Sequence, residues 1–292
     1  MIPAFFVYAI VFLYNKIRKA GMKMILDETF QLVNGVEIPK VGFGTWQSSP
    51  EDAYRATKYA LDNGYKHVDT AYVYGNESDV GQAIKDVPVS RDEIFVTTKV
   101  PAETDTYEKA MENINESLRR LSLDHVDLLL IHAPRPWRRI GEPHENDDKK
   151  NVQVWKALED AFRDGKARAI GVSNFNIEDL KNIIENAKVA PMVNQIKCYI
   201  GNLSTGTIDF CQKHSILVEG YSPLATGGIL DDEQIQKIAE KYEKSIPQVA
   251  LRYLLEKDIL PLPKSVHEEY ILENAQLDFV LEKEDMDQLD KL

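Results

Sequence analysis

Between Lys40 and the C-terminus, a short apolar run is followed by an amphipathic stretch eight times over. "KVGFGTW" precedes "SPEDAYRATKYALDNG", "KHVDT" precedes "NESDVGQAIKD", and "EIFVTTKV" precedes "TYEKAMENINESLRRLS". "VDLLLIHAP" leads through a polar loop, Pro134 to Lys150, to "NVQVWKALEDAFRDG". "ARAIGVSNF", "PMVNQIKCY", "ILVEGYSPL" and "ILPLPKSV" continue the series, each before a helical pattern. Apolar runs with little polar alternation suit parallel strands covered on both faces. Eight such units in about 250 residues fit an α/β fold of the (β/α)8 TIM-barrel type. The seventh run is followed by two helical patterns, "DDEQIQKIAEKYE" and "IPQVALRYLLEKD", so one extra helix is expected there. Ahead of the series, "FQLVNGVEIP" alternates on either side of Asn34-Gly35 and predicts a tight N-terminal β-hairpin. The first helix is marked by Ser49 as N-cap, Pro50 at its first position and Gly64 as stop. An open doubly wound sheet is the competing architecture, but it carries G-x-G-x-x-G after its first strand. "GFGTWQ" lacks the third glycine.

Composition narrows the function classes. A net charge of −12 over 292 residues argues against a nucleic-acid binder. Cys198 and Cys211 form neither a CxxC pair nor a metal cluster, so two reduced thiols in a cytoplasmic protein without a metal are expected. The apolar run Ile2 to Tyr14 has 13 residues, short of the about 20 that a spanning helix needs. Its basic residues Lys16, Arg18 and Lys19 follow the run, the reverse of a secretory signal. Two readings stand: a short membrane-associating anchor, or an upstream extension with Met22 or Met24 as the true start. The second is favoured, and membrane association is confined to residues 1–20. The expected organisation is an extension, 1–23, and a single catalytic barrel, 24–292, acting as a monomer.

A barrel of this kind builds its site at the C-terminal ends of its strands. Strand two ends in Asp69 with Tyr74 in the loop beyond, strand three in Lys99 and strand four in His132. Strand five ends in Ser173-Asn174, strand six carries Gln195, strand seven ends in Tyr221-Ser222 and strand eight in Lys264-Ser265. Each has an ordinary explanation alone: a capping aspartate, a snorkelling lysine, a core histidine, a packed tyrosine with its hydroxyl in water. Gathered on consecutive strand ends, they read as a site. A phenol with an ordinary pKa near 10 is a slow proton source. A neighbouring ammonium lowers that pKa, and a buried ammonium needs a counter-charge. Tyr74, Lys99 and Asp69 supply these parts, and His132 can hydrogen-bond a substrate oxygen. The set can polarise a carbonyl and protonate it, while the hydride has to come from a cofactor.

The motifs "GFGTW", "HVDTAYVYGNE", "TTK", "LLLIHAP", "AIGVSNF", "NQI", "YSPL" and "PLPKS…EN" occur in order from Phe30 onward, and in them the chain resembles the aldo-keto reductase superfamily. It is most similar to bacterial-type small reductases of the diketogluconate and methylglyoxal kind. The resemblance implies NAD(P)H-dependent reduction of a small aldehyde or ketone, with nicotinamide cofactor across the barrel mouth. It implies Tyr74 as general acid, Lys99 tuning it, Asp69 paired with Lys99, and His132 orienting the carbonyl. Ser173, Asn174 and Gln195 would hold the nicotinamide carboxamide and Tyr221 would stack on the ring. By the same resemblance Thr45 would be a further cofactor contact, and Ser222 and Leu224 would contact the pyrophosphate region. Lys264 and Ser265 would meet the adenosine 2′-phosphate, Glu273 and Asn274 the adenine end, and Trp46 would line the substrate pocket.

The chain departs from that pattern at several points. Tyr270 stands where many relatives have an arginine that would clasp the 2′-phosphate in bidentate fashion. NADPH stays the expected cofactor, with NADH use open. "IKCYIGN" replaces the usual run after Gln195, leaving Lys197 and Tyr199 without family counterparts and without a role. Ala133 follows His132 where some relatives have tryptophan, and Trp137 comes later. The sequence stops at Leu292 with "MDQLDKL", so the C-terminal loop that shapes specificity in longer relatives is expected to be short or absent, which implies an open pocket tolerant of several carbonyls. A second function class is a catalytically weak, cofactor-sensing barrel that binds a membrane-associated partner.

Overall fold

The computed structural model describes residues 24–140 and 147–292. The apolar segment 1–23, with its two readings and the membrane association tied to it, lies outside the described residues. Among those described, no helix is long and apolar enough to cross a membrane.

Strands β1 (Thr29–Gln31) and β2 (Glu37–Pro39) pair antiparallel, with Thr29 opposite Pro39. The hairpin forms as the alternation predicts, but its turn is of another type. Leu32 N–H donates to Val36 C=O and Gly35 N–H to Leu32 C=O, each at 2.8 Å. Gly35 is left-handed at φ +85°. This is a three-residue loop closed by glycine rather than the two-residue turn in which both Asn and Gly take positive φ.

The eight barrel strands follow in chain order, each parallel to the next. They are β3 (Phe43–Gly44), β4 (His67–Asp69), β5 (Phe95–Val100), β6 (Val126–Ile131), β7 (Ala167–Ser173), β8 (Val193–Lys197), β9 (Leu217–Tyr221) and β10 (Ile259–Leu262). The ring closes where Gly42 and Gly44 N–H donate to Pro261 and Pro263 C=O at 3.1 and 2.9 Å. The seam needs a glycine: a Cβ on residue 42 would stand 2.4 Å from Leu262 and 2.7 Å from His67. The middle of β6, Leu128 to Leu130, is fully buried. Each such side chain contributes roughly 1.5–3 kcal/mol by leaving water.

Helices α1 (Pro50–Asp62), α2 (Glu77–Asp86), α3 (Tyr107–Leu121), α4 (Asp148–Arg163), α5 (Ile177–Asn186) and α6 (Thr205–Lys213) follow the first six barrel strands. Ser49 Oγ accepts from Asp52 N–H as the N-cap of α1, and Gly64 beyond its end takes φ +98°. After β9 come both α7 (Glu233–Lys241) and α8 (Ile246–Leu255), the extra helix expected in the seventh unit. Ser245 and Gln248 form a capping box at the start of α8. A cap of this kind contributes about 1 kcal/mol. Helix α9 (Glu268–Glu273) follows β10, and α10 (Lys283–Leu289), which the sequence reading did not anticipate, lies near the end. Tyr253 OH donates to Asp290 at 2.6 Å, tying that region to α8.

The loop read as Pro134 to Lys150 needs a correction at its far end, where Asp148 to Lys150 form the first turn of α4. Its near end is pinned by the buried guanidinium of Arg135, which is paired with Asp179 at the start of α5. Because that pair is buried and bonded, Pro136 and Trp137 have a fixed point beside the barrel mouth.

Candidate active site

The strand pleat decides which side chains enter the barrel. Residues two apart share a face, so Gln195 and Lys197 on β8, and Glu219 and Tyr221 on β9, stand in inward-facing pairs. The C-terminal mouth holds a cavity of about 850 Å³, lined among others by Trp46, Tyr74, His132, Trp137, Gln195 and Tyr221.

Lys99 is 1% exposed and forms the floor. Its Nζ donates to Asp69 Oδ1 at 2.6 Å and to Thr70 C=O at 3.0 Å. Two of its three protons are thereby committed. Nζ lies 5.2 Å from the centre of the Tyr74 ring, so the third is left for the phenol side. Burial pulls the Lys99 pKa down, but Asp69 first and Tyr74 after it more than offset that, with Glu219 adding to the effect once it is ionised, so the pKa lies above its ordinary value. Asp69 is fixed from behind as well, because Thr45 Oγ1 donates to its backbone carbonyl at 3.0 Å.

The Tyr74 phenol is pushed above its ordinary pKa by burial, and the Lys99 charge opposes that without reversing it. The sequence pattern predicted a net lowering. Desolvation wins instead, because the phenolate loses more hydration than one ammonium returns. Gly75, left-handed at φ +71°, ends the short turn Tyr72–Tyr74 that carries the phenol out from the strand end. The loop is anchored by Asn76, whose Nδ2 donates to Thr45 C=O at 3.0 Å and whose Oδ1 accepts from Thr70.

His132 stands edge-on to Tyr74 at 5.6 Å and to Trp137 at 5.2 Å between ring centres. Burial first and the Lys99 charge second push its pKa down to about 3, so the ring is neutral at physiological pH. Its Nδ1 is buried without a partner. The lone pair belongs on that nitrogen, which leaves Nε2–H as the polar group for the cavity.

Ser173, Asn174 and Gln195 come together as expected, and they are already bonded to one another and to the floor. Ser173 Oγ donates to Gln195 C=O at 2.8 Å, and Asn174 Nδ2 donates to His132 C=O at 3.1 Å and Ser173 Oγ at 3.0 Å. Tyr221 OH donates to Asn174 Oδ1 at 2.8 Å, which sets the Tyr221 ring along the cavity wall. Asn174 accepts a left-handed φ of +61° to make these bonds. Gln195 Nε2 donates to Asp69 Oδ2 at 2.9 Å and Glu219 Oε2 at 2.8 Å. Both neighbours are carboxyl groups, so the amide nitrogen has to face them and Oε1 is the atom turned to the cavity. A flat ring bearing a carboxamide fits here: it meets an aromatic wall, an unspent amide oxygen and enough volume.

The remaining expected contacts divide. Ser222, Leu224 and Lys264 line the cavity together with Trp46. Ser222 is left-handed at φ +49°, as are Ala225, Thr226 and Gly227 further along the same loop. Thr45 is buried and bonded to the Asp69 carbonyl, Ser265 bonds the backbone of His267, and Asn274 is buried at the end of α9; none of the three lines this cavity. Glu273 lies at the end of α9, where its carbonyl accepts from Gln248 Nε2 at 3.2 Å. Lys197, given no role from the sequence, does line the cavity, as do Thr226 and Gly227. Glu219 was missed altogether. Its signal was legible: a carboxylate inside the apolar run "ILVEGY", on the same face as Tyr221 two residues later. Among the described residues no cluster of side chains could hold a metal ion.

The model of the Aldo/keto reductase family matches residues 40–292. Glyoxal reductase of Bacillus subtilis (strain 168) is 41% identical over 273 residues, covering 93% of this chain and 95% of that protein. Methylglyoxal reductase DkgA of Escherichia coli (strain K12) is 35% identical over 265 residues, covering 90% and 92%. Among solved structures, an aldo-keto reductase enzyme from a Medee basin deep-sea metagenome library superposes with TM-score 0.84 at 42% identity, covering 90% of this chain and 94% of that one. An aldo-keto reductase of Bombyx mori in complex with NADP gives 0.82 at 33%, covering 90% and 92%.

Proposed function

The chain belongs to the aldo/keto reductase family, whose members reduce carbonyl groups with a nicotinamide cofactor, and from that premise we propose an NADPH-preferring reductase of small aldehydes, 2-oxoaldehydes foremost, with Tyr74 as its general acid. The observation that carries the assignment is the buried Lys99–Asp69 pair beside the Tyr74 ring at the floor of the cavity. When bound, the nicotinamide supplies the hydride. His132 Nε2–H and the Tyr74 hydroxyl hold the carbonyl oxygen between them. As charge develops on that oxygen, Tyr74 gives up its proton, and the Lys99 ammonium stabilises the phenolate left behind. Asp69 keeps the ammonium in place, and neutral His132 donates without competing for the proton. Gln195 Oε1 would accept from the carboxamide NH2, with Ser173 and Asn174 beside it, and Tyr221 would cover the ring face.

The substrate reading draws on the relatives named for glyoxal and methylglyoxal and on a wall of Trp46, Val73 and Trp137 too open to demand a bulky ligand. The preference for NADPH draws on Lys264 at the cavity edge and is weakened by Tyr270 in place of an arginine. A side-by-side assay of NADPH and NADH against methylglyoxal, simple aldehydes, ketones and keto-sugars tests both parts. The highest kcat/KM is expected with NADPH and a 2-oxoaldehyde. Equal efficiency with the two cofactors, or no turnover of any carbonyl, would overturn the respective part.

A further inference from the structure

Glu219 lies beneath the catalytic floor at 0% exposure, and the chemistry described above makes no use of it. Its Oε2 accepts one hydrogen bond, from Gln195, and its Oε1 has no partner. A carboxylate buried with a single donor is far less well solvated than one in water, whereas a neutral carboxyl gives up much less. The charged groups acting on it are Asp69 from β4 and Lys99 from β5, while Gln195 bridges from β8 and the apolar Leu260 of β10 lies opposite it in register. With both carboxyl groups ionised, the cluster of Lys99, Asp69 and Glu219 would carry a net negative charge. With Glu219 neutral it carries none.

Resting on the assignment of Tyr74 above, we propose that Glu219 is a positioning residue held neutral in the barrel floor. It orients the Gln195 amide so that Oε1 meets the nicotinamide carboxamide, and it leaves the Lys99 ammonium to Asp69 and Tyr74 alone. Gln195 is an amide and does not relay protons, so the coupling to Tyr74 is electrostatic. Burial first, and the Asp69 charge second, push the Glu219 pKa up to about 8. Above that pH its ionisation adds a second negative charge beside Lys99, strengthens the hold of Tyr74 on its proton and slows proton donation.

The test is the pH dependence of single-turnover reduction in wild type and Glu219→Gln, whose amide stays neutral at every pH. Wild type is expected to slow about three- to tenfold between pH 7 and 10, as for a Tyr74 pKa raised by about one unit, and Glu219→Gln to stay flat. Coincident profiles would overturn the proposal. Infrared difference spectroscopy of the cofactor-free protein supplies a readout independent of activity. A neutral carboxyl C=O band is expected at pH 7, lost on titration to pH 10 and absent in Glu219→Gln. No such band at pH 7 would overturn the proposal even if Tyr74 is the acid, and a band that persists in Tyr74→Phe keeps the two assignments separate. Should Glu219→Gln not fold, Glu77→Gln removes the other deeply buried glutamate among the described residues, and a band that remains in it at pH 7 and is lost by pH 10 is the one expected of Glu219.

Discussion

The floor of the cavity and the rim proposed to meet the adenosine half of the cofactor are built in opposite ways. At the floor, Lys99, Asp69, Gln195 and Glu219 come from four strands, are closed off from water and are joined by hydrogen bonds of 2.6 to 2.9 Å. At the rim, Lys264 is exposed, its nearest bond is 3.5 Å to Gln47 C=O, and Tyr270 is half in solvent. Ser265 Oγ is bonded to the backbone of His267, and Asn274 is buried at the end of α9. The floor is preorganised, and its geometry is set by folding. The rim is held by few contacts of its own. Substitutions that break the Lys99–Asp69 pair at the floor should therefore cost both stability and rate, and those at the rim should change only cofactor affinity.

The largest effect expected is from Tyr74→Phe, which should lower kcat by about 10²- to 10⁴-fold and leave the NADPH Kd, read by fluorescence titration, within about twofold. Lys99→Met comes next. It strands Asp69 without its counter-charge and should cost roughly 3–5 kcal/mol in urea unfolding, because a broken buried pair leaves one charge uncompensated. A loss below about 1 kcal/mol would place Lys99 with the weak surface pairs instead.

Glu219→Gln should stabilise the protein, in a pH-dependent way. The Glu219 pKa is raised from its ordinary 4.5 to about 8, so the stability it contributes is present below pH 4.5 and lost as pH rises to 8. The advantage of the variant should grow across that window by up to roughly 1.4 kcal/mol per pH unit, seen as a rising Tm difference. His67 and His132 work in the other direction. Both pKa values are depressed from 6.5 to about 3 by burial, so the wild-type Tm should fall as pH drops below 6.5. At the rim, Lys264→Ala should weaken NADPH about fivefold and NADH hardly at all, the most that an exposed ion contact supplies. Tyr270→Arg should tighten NADPH by a similar factor. A large loss of stability in either would erase the contrast between floor and rim.

Most of the architecture was legible because it follows from period and punctuation. The eight apolar runs became the eight barrel strands, Ser49 and Gly64 bounded α1, and the doubled helical pattern after "ILVEGY" became α7 and α8. The hairpin turn was harder to read, since Asn34-Gly35 serves either turn type and the choice lies in φ at Asn34. Helix α10 was missed because seven residues give barely two turns of pattern. At the site, Asp69, Tyr74, Lys99 and His132 were legible from their places at strand ends. The net direction of the Tyr74 shift was not, because it depends on how deeply the phenol is enclosed. Glu219 escaped attention because a charge within a strand was read as part of an apolar run rather than as an inward-facing carboxyl.

The central claim is that Lys99 acts on the carbonyl through Tyr74. Single-turnover hydride transfer measured for wild type, Tyr74→Phe, Lys99→Met and the double variant, each first confirmed to bind cofactor, tests it as a cycle. The double variant is expected to be no slower than Tyr74→Phe alone, within about twofold. Penalties that multiply would show that the lysine reaches the reaction by a separate route and would contradict the account.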